Sequence, residues 1–157
     1  MVGRGSGSQR ARRALRPRLL FDTSAIIKWF HDDGESESEQ AQWHLLAHRE
    51  GLVDAHVLDL GIYELGNVLI RALGRDATHT ATVIDATLAL CGPALTLSHD
   101  GYALAATIAD TAGLSFYDAS FVAAAREHGM TLLSADRRLV ATGNALTLTQ
   151  SQALLRG

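Results

Sequence analysis

The chain has a single cysteine, Cys91, in 157 residues. A lone thiol excludes an intrachain disulfide and a thiolate metal cluster, and makes a reducing cytoplasm the default compartment. No uninterrupted apolar run approaches the ~20 residues that span a bilayer, so no membrane partner is expected. No secretory leader is expected either: the basic N-terminus runs into Leu19, Leu20 and Phe21, and Asp22 ends that run. Gly3, Gly5 and Gly7 follow no strand, so no nucleotide-binding loop is indicated. His44 and His48 stand four apart on a predicted helix, but Leu45 occupies the place where a zinc metalloprotease needs glutamate. They read as core or solvated histidines. Ser98-His99-Asp100 is a sequential run and not a catalytic triad, which assembles in space. It reads as a strand end and helix cap.

What is present is a chain of one ordinary domain. Hydrophobic residues make up 47% and charged residues 20%, which excludes a disordered chain and suits a single core. The net charge of −3 hides an asymmetry. Six of the 14 basic residues are Arg4, Arg10, Arg12, Arg13, Arg16 and Arg18, and no acid precedes Asp22. Residues 19–157 then carry 8 basic and 17 acidic residues, a net of −9. A basic tail on an acidic body suggests a nucleic-acid partner. The plainer reading is a solvated tail, or a start codon assigned too early.

Residues 1–17 lack apolar periodicity and are expected to be a disordered basic tail, with one domain over 18–157. Arg18 to Asp22 reads as a buried strand, followed by a short helix through Ile26, Ile27, Trp29 and Phe30. Helices are predicted over 38–50, 58–73, 80–91, 102–112 and 116–128, most of them stopped by a glycine. Strands are predicted over 52–57, 94–97 and 131–135, with a fifth over 145–149. Short apolar strands alternating with helices predict a parallel sheet covered on both faces. Ligands of such sheets sit at the carboxyl ends of the strands, which singles out Asp22 and Asp136.

Two further acids stand out by helical position. Glu64, Asn67 and Arg71 form a polar stripe opposite the face of Leu58, Ile62, Leu65, Leu69 and Leu73. Asp118 lies within about 60° of Phe121, Val122 and Ala125 at ~100° per residue, so it faces inward. A buried carboxylate needs a partner, a proton or a metal. Each acid taken alone also has a structural reading. Asp22 suits a helix N-cap, Glu64 a solvated acid, Asp118 the first turn of a helix and Asp136 a turn.

Four segments together carry a resemblance. They are Leu20-Phe21-Asp22-Thr23-Ser24-Ala25-Ile26, Tyr63-Glu64-Leu65-Gly66-Asn67-Val68-Leu69, Gly113 to Val122 around Tyr117-Asp118, and Leu132-Leu133-Ser134-Ala135-Asp136-Arg137-Arg138-Leu139. In order and spacing the chain, from 18 to about 150, resembles PIN domains of the VapC type, the toxins of type II toxin–antitoxin modules. Gly61 departs from the pattern, where relatives often carry a small hydroxyl or apolar residue.

The resemblance implies an α/β three-layer fold with a central parallel sheet of four to five short strands flanked by helices. It also implies a metal-dependent endoribonuclease with Asp22, Glu64, Asp118 and Asp136 as the acidic quartet. Oxygen-only ligands favour Mg²⁺ or Mn²⁺. Thr23, Ser24, Asn67 and Ser134 are expected to orient the acids. Lys28, Arg71, Arg75, Arg126, Arg137 and Arg138 are candidates to offset the acidic body toward an RNA substrate. The implied partners are RNA, a small cognate antitoxin and a second copy in a homodimer. A PIN domain in RNA processing, or a non-catalytic binding module, is the alternative.

Overall fold

The structure is a computed structural model that describes residues 16–31, 34 and 36–157. Most of the tail expected over 1–17 therefore lies outside the described residues. Arg16 and Pro17, at its end, are held by Asp54. The Arg16 guanidinium pairs with the Asp54 carboxylate at 3.7 Å, and the Pro17 carbonyl accepts from the Asp54 amide at 2.9 Å.

The first strand, β1 (Arg18–Phe21), runs into a short helix, α1 (Thr23–Ile26), and a 3₁₀ turn, Ile27–Trp29. Next come α2 (Ser38–Arg49), β2 (Asp54–Val57) and α3 (Asp59–Asn67). A π-helical turn, Val68–Ala72, prolongs α3. The chain continues through α4 (Ala77–Cys91), α5 (His99–Ala112), α6 (Phe116–Glu127) and β3 (Thr131–Leu133). It closes with α7 (Arg137–Ala141) and α8 (Leu148–Arg156).

The sheet is parallel, in the order β2-β1-β3, so the strand nearest the N-terminus is central. Its alternation sends Leu19 and Phe21 to one face and Leu20 to the other. Leu19, Phe21, Val57 and Leu133 join the core with Ile26, Ala41, Leu65, Val83 and Leu148, from α1, α2, α3, α4 and α8. Leu20 and Leu132 join Ala105, Phe121 and Leu139, from α5, α6 and α7. Helices thus cover both faces, in the three layers expected.

The strand count is lower than expected. Instead of a strand over 94–97 there is one bridge pair, Leu58 with Leu95, and instead of a strand over 145–149 one pair, Leu133 with Leu146. In the second case a helix signal competes. Thr147 accepts from the Gln150 amide, and the Gln150 side chain returns to the Thr147 amide at 2.9 Å, which is a capping box that starts α8. Similarly, Asp136 begins a helix rather than a turn.

The two histidines of α2 are pins in the core. His44 is fully buried; its Nδ1–H donates to the Gln40 carbonyl at 2.8 Å, and Nε2 accepts from the Ser151 hydroxyl at 2.9 Å, which ties α2 to α8. His48 uses the opposite tautomer. Its Nδ1 accepts from the Ala55 amide at 3.2 Å, so Nε2–H donates to the Leu90 carbonyl at 2.7 Å. Burial holds the His44 pKa below its ordinary value, which keeps the ring neutral.

Candidate active site

Asp22 directly follows the central strand. Its amide still bonds the Leu133 carbonyl at 3.0 Å, as a last rung of the β1–β3 ladder. The backbone then turns, and the carboxylate caps α1 by accepting from the Ala25 amide at 3.0 Å. Capping and facing the cleft are not alternatives here; one side chain does both. Ser24 donates to the same carboxylate at 2.6 Å and Ser134 donates to its second oxygen. The two hydroxyls also accept: Ser24 from the Ala135 amide at 2.9 Å, Ser134 from the Asp136 amide at 3.0 Å. Residues 22–24 and 134–136 are thereby one hydrogen-bonded unit at the carboxyl end of the sheet.

Glu64 approaches from α3 and is half-buried. Thr23 donates to it at 2.5 Å. Asp118 stands in the first turn of α6, half-buried, and accepts from the Ser115 hydroxyl at 2.7 Å. The same hydroxyl accepts from the Asp118 amide at 3.1 Å and caps the helix. Gly113, in the left-handed region at φ 63, ends α5 and lets the chain reverse into this cap. Asp136 caps α7 through the Arg138 amide at 2.8 Å.

All four acids line one open cleft of about 610 Å³, together with Thr23, Ser24, Ile27, Lys28, Asn67, Val68, Phe121 and Ala135. Two of the acids are raised by their surroundings. Burial pushes the Asp22 carboxyl up to about 6; hydrogen bonds from Ser134, Ser24 and the Ala25 amide oppose this, and the charge of Glu64 adds to it. Burial also raises Glu64; the Thr23 hydrogen bond lowers it and the charge of Asp118 raises it further. Like charges facing a shared, partly dry space favour a proton or a cation.

Gly61, the departure noted in the sequence, is buried in the first turn of α3. A methyl there would meet the Phe121 ring at 3.5 Å and the Thr23 hydroxyl at 3.7 Å, both ordinary contacts. It therefore supports the wall of the cleft without being required by space.

The basic candidates separate. Arg71 belongs to the stripe of Glu64 and Asn67 only if the helix stays α-helical. The π turn Val68–Ala72 advances each residue by a smaller angle, and Arg71 is exposed outside the cleft lining. Arg126 is exposed and donates to the Asn144 side-chain oxygen at 2.7 Å. Arg137 is exposed on α7, also outside the lining. Lys28 does line the cleft. Its burial was not legible from its neighbours in sequence, because it falls in a 3₁₀ turn where α-helical spacing no longer assigns faces.

A second hollow of about 210 Å³ lies beside the cleft in sequence: Tyr63 precedes Glu64 and Tyr117 precedes Asp118. It is apolar, ringed by Tyr63, Tyr102, Phe116 and Tyr117, all exposed. Spacing along the sequence does not mark it, because its three tyrosines, all that the chain has, come from three separate helices.

The family model described as PIN domain matches residues 19–145. No curated protein matches. Among solved structures, the chain is similar to PAE2754 from Pyrobaculum aerophilum, at 26% identity and a TM-score of 0.63 over 90% of this chain and 98% of that one. It shares its fold with VapC20 from Mycobacterium tuberculosis, a sarcin–ricin loop cleaving toxin, at 19% identity and 0.61 over 80% and 95%. It also shares it with FitAcB from Neisseria gonorrhoeae, at 18% identity and 0.57 over 82% and 95%. With the acids of four separate segments gathered at the carboxyl end of a three-layer parallel sheet, and with a family match over most of its length, the chain belongs to the PIN-domain family.

Proposed function

We propose that this chain is a divalent-cation-dependent endoribonuclease, the toxin component of a type II toxin–antitoxin module. The observation that carries the reading is the convergence of Asp22, Glu64, Asp118 and Asp136 on one cleft. Its support among other proteins is VapC20, described as a sarcin–ricin loop cleaving toxin, and the FitAB structure, described as bound to an IR36 DNA fragment.

Among the described residues, no three carboxylates, imidazoles or thiols are gathered into a ready-made cage. The donor set nonetheless fits Mg²⁺ or Mn²⁺: it is oxygen only, lines one open cleft, and includes two carboxyls that burial raises. Mg²⁺ keeps much of its water and takes one or two carboxylates directly. Asp22 and Glu64, with Asp118 and Asp136, would hold it in that manner, some through water. When bound, the ion supplies Lewis acidity, which acidifies water and offsets charge on the phosphate.

The chain's own residues do the rest. Ser24 and Ser134 fix both oxygens of Asp22, and Thr23 fixes Glu64, so the carboxylates keep their aim as the phosphate enters. Asn67 faces the cleft with a neutral donor and acceptor. Arg126 and Arg137 lie outside it, where they can meet flanking phosphates. The exposed ring of tyrosines is the kind of surface that protein interfaces use, and it suits an antitoxin or a second copy.

The test is direct. Purified chain should cleave RNA in Mg²⁺ or Mn²⁺, lose that activity in EDTA, and arrest growth when induced in cells. A short neighbouring reading frame should reverse the arrest. Absence of both cleavage and arrest would reject the nuclease reading; cleavage without arrest would favour RNA processing over a toxin.

A further inference from the structure

The hollow of about 210 Å³ is walled by Tyr63, Tyr102, Phe116 and Tyr117, and it shares no lining residue with the acidic cleft. These are four of the eight large hydrophobic residues exposed among the described ones, so they form a patch and not a scatter. Among the described residues none of the four rings is paired with another aromatic ring or covered by a cation. The chain does make such a pair elsewhere, with the Arg156 guanidinium 5.2 Å from the Trp43 ring centroid. A single charged residue, Asp59, lines the hollow. It is half-buried; one carboxylate oxygen accepts from the Leu60 amide at 2.7 Å, and the other has no partner among the described residues.

The faces of aromatic rings are electronegative, and a carboxylate is negative outright. Rings and acid therefore agree on a cation. An anion such as phosphate would meet only repulsion, since no arginine, lysine or histidine lines the hollow. The size is that of one side chain: at ~30 Å³ per water the hollow holds about seven waters. An α-helix, at ~10 Å across with its side chains, would not enter. Of the two protein cations a guanidinium fits better than an ammonium. It is planar and weakly hydrated, stacks on ring faces and forks onto a carboxylate, while its methylene stem lies along apolar neighbours. Charge also points to the source. Residues 19–157 carry a net −9, so a second copy of this body brings mostly the wrong sign, whereas a basic segment of another protein is drawn in.

We propose that the tyrosine-walled hollow is the receptor for one arginine side chain of the antitoxin, its guanidinium stacked on the rings and paired with Asp59. The identity of the partner rests on the toxin reading above; the chemistry of the receptor rests on the hollow alone.

All three tyrosines of the chain stand at the hollow, so labelling with 3-fluorotyrosine makes every ¹⁹F resonance a reporter of it. The probe is the peptide acetyl-Gly-Arg-Gly-amide, which should shift these resonances saturably at millimolar concentration. The citrulline peptide, of the same shape without the charge, should bind at least about tenfold more weakly, and the lysine peptide several-fold more weakly. Asp59→Asn should weaken the arginine peptide about tenfold. If that variant does not fold, by circular dichroism, the citrulline comparison on the parent chain carries the test. Indifference to the arginine peptide, or an equal response to citrulline, overturns the proposal. So do resonances that answer to the chain's own concentration and not to the peptide, which would make the hollow an interface between copies. For the source, the product of the neighbouring reading frame should move the same resonances, and replacing its arginines by glutamine should abolish the movement; movement that survives overturns the antitoxin arginine. A chain that cleaves RNA and arrests growth while ignoring the arginine peptide rejects this inference alone. A chain that does neither, yet binds the peptide, rejects the toxin reading and keeps the receptor.

Discussion

Asp22 and Glu64 face the cleft with partners drawn from far along the chain, whereas Asp118 and Asp136 face it from the first turns of their own helices. Ser134, 112 residues away, donates to Asp22, and Thr23, 41 residues away, donates to Glu64. Asp118 and Asp136 are held within three residues, by Ser115 and by the Arg138 amide. The first pair is raised by burial; Asp22 is only 6% exposed. Burial makes both carboxyls of the first pair costlier to ionise, and Asp22, the one buried acid of the four, is steadied by two hydroxyls. Asp118 and Asp136, half-buried like Glu64, form the shallow side of the site and are aimed from the starts of their own helices.

The largest expected effect sharpens that contrast. Asp22→Asn keeps the cap and the fold but should lower RNA cleavage by at least about 10²-fold, because it removes the deep negative charge. Asp136→Asn, on the shallow side, should cost about tenfold. Equal losses in single-turnover assays would erase the distinction between the pairs.

The next effect concerns the hydroxyls. Ser134→Ala removes a hydrogen bond that lowers the Asp22 carboxyl, so that carboxyl should rise further. Mn²⁺ affinity at neutral pH should fall about 10- to 100-fold by calorimetry. Ser115→Ala, the shallow counterpart, should change it no more than a few-fold.

A further effect is on stability. In the folded chain the Asp22 carboxyl is raised from 3.8 to about 6. The native state therefore holds this proton more tightly than the unfolded chain. Its contribution is fully present below about pH 4 and is lost as pH rises through about 6. In EDTA the parent chain should match Asp22→Asn at pH 4 and fall below it by pH 7, by up to about 3 kcal/mol in urea melts. A gap independent of pH would mean that Asp22 is not the buried acid described.

Much of this architecture is legible in the sequence because its signals are local. Glycine stops, the face of Leu65 and Leu69 along α3 and its π turn, and the apolar run before Asp22 each report their own element. The edge strands are not legible in that way. Leu95 and Leu146 are apolar and suit a strand, yet each makes one bridge pair, because the sheet ends there and only tertiary packing decides its length. The capping box at Thr147 was available as a local signal for α8 and outweighs the apolar pattern before it. The acids are legible as a set. Their partners are only partly so: Thr23 and Ser24 adjoin Asp22, but which acid Ser134 serves depends on strand pairing. Lys28 shows the limit, since no periodicity assigns the face of a three-residue 3₁₀ turn.

The bond between Ser134 and Asp22 also says something about time. A chain emerging from the ribosome presents Asp22 early, and about a hundred residues must follow before β3 can pair with β1 and bring Ser134 to it. Contacts of such long sequence separation form late, since their loop-closure entropy must be met first. The cleft therefore does not exist in the nascent chain or in an N-terminal fragment, and whatever chemistry its four acids perform becomes available only as synthesis nears its end.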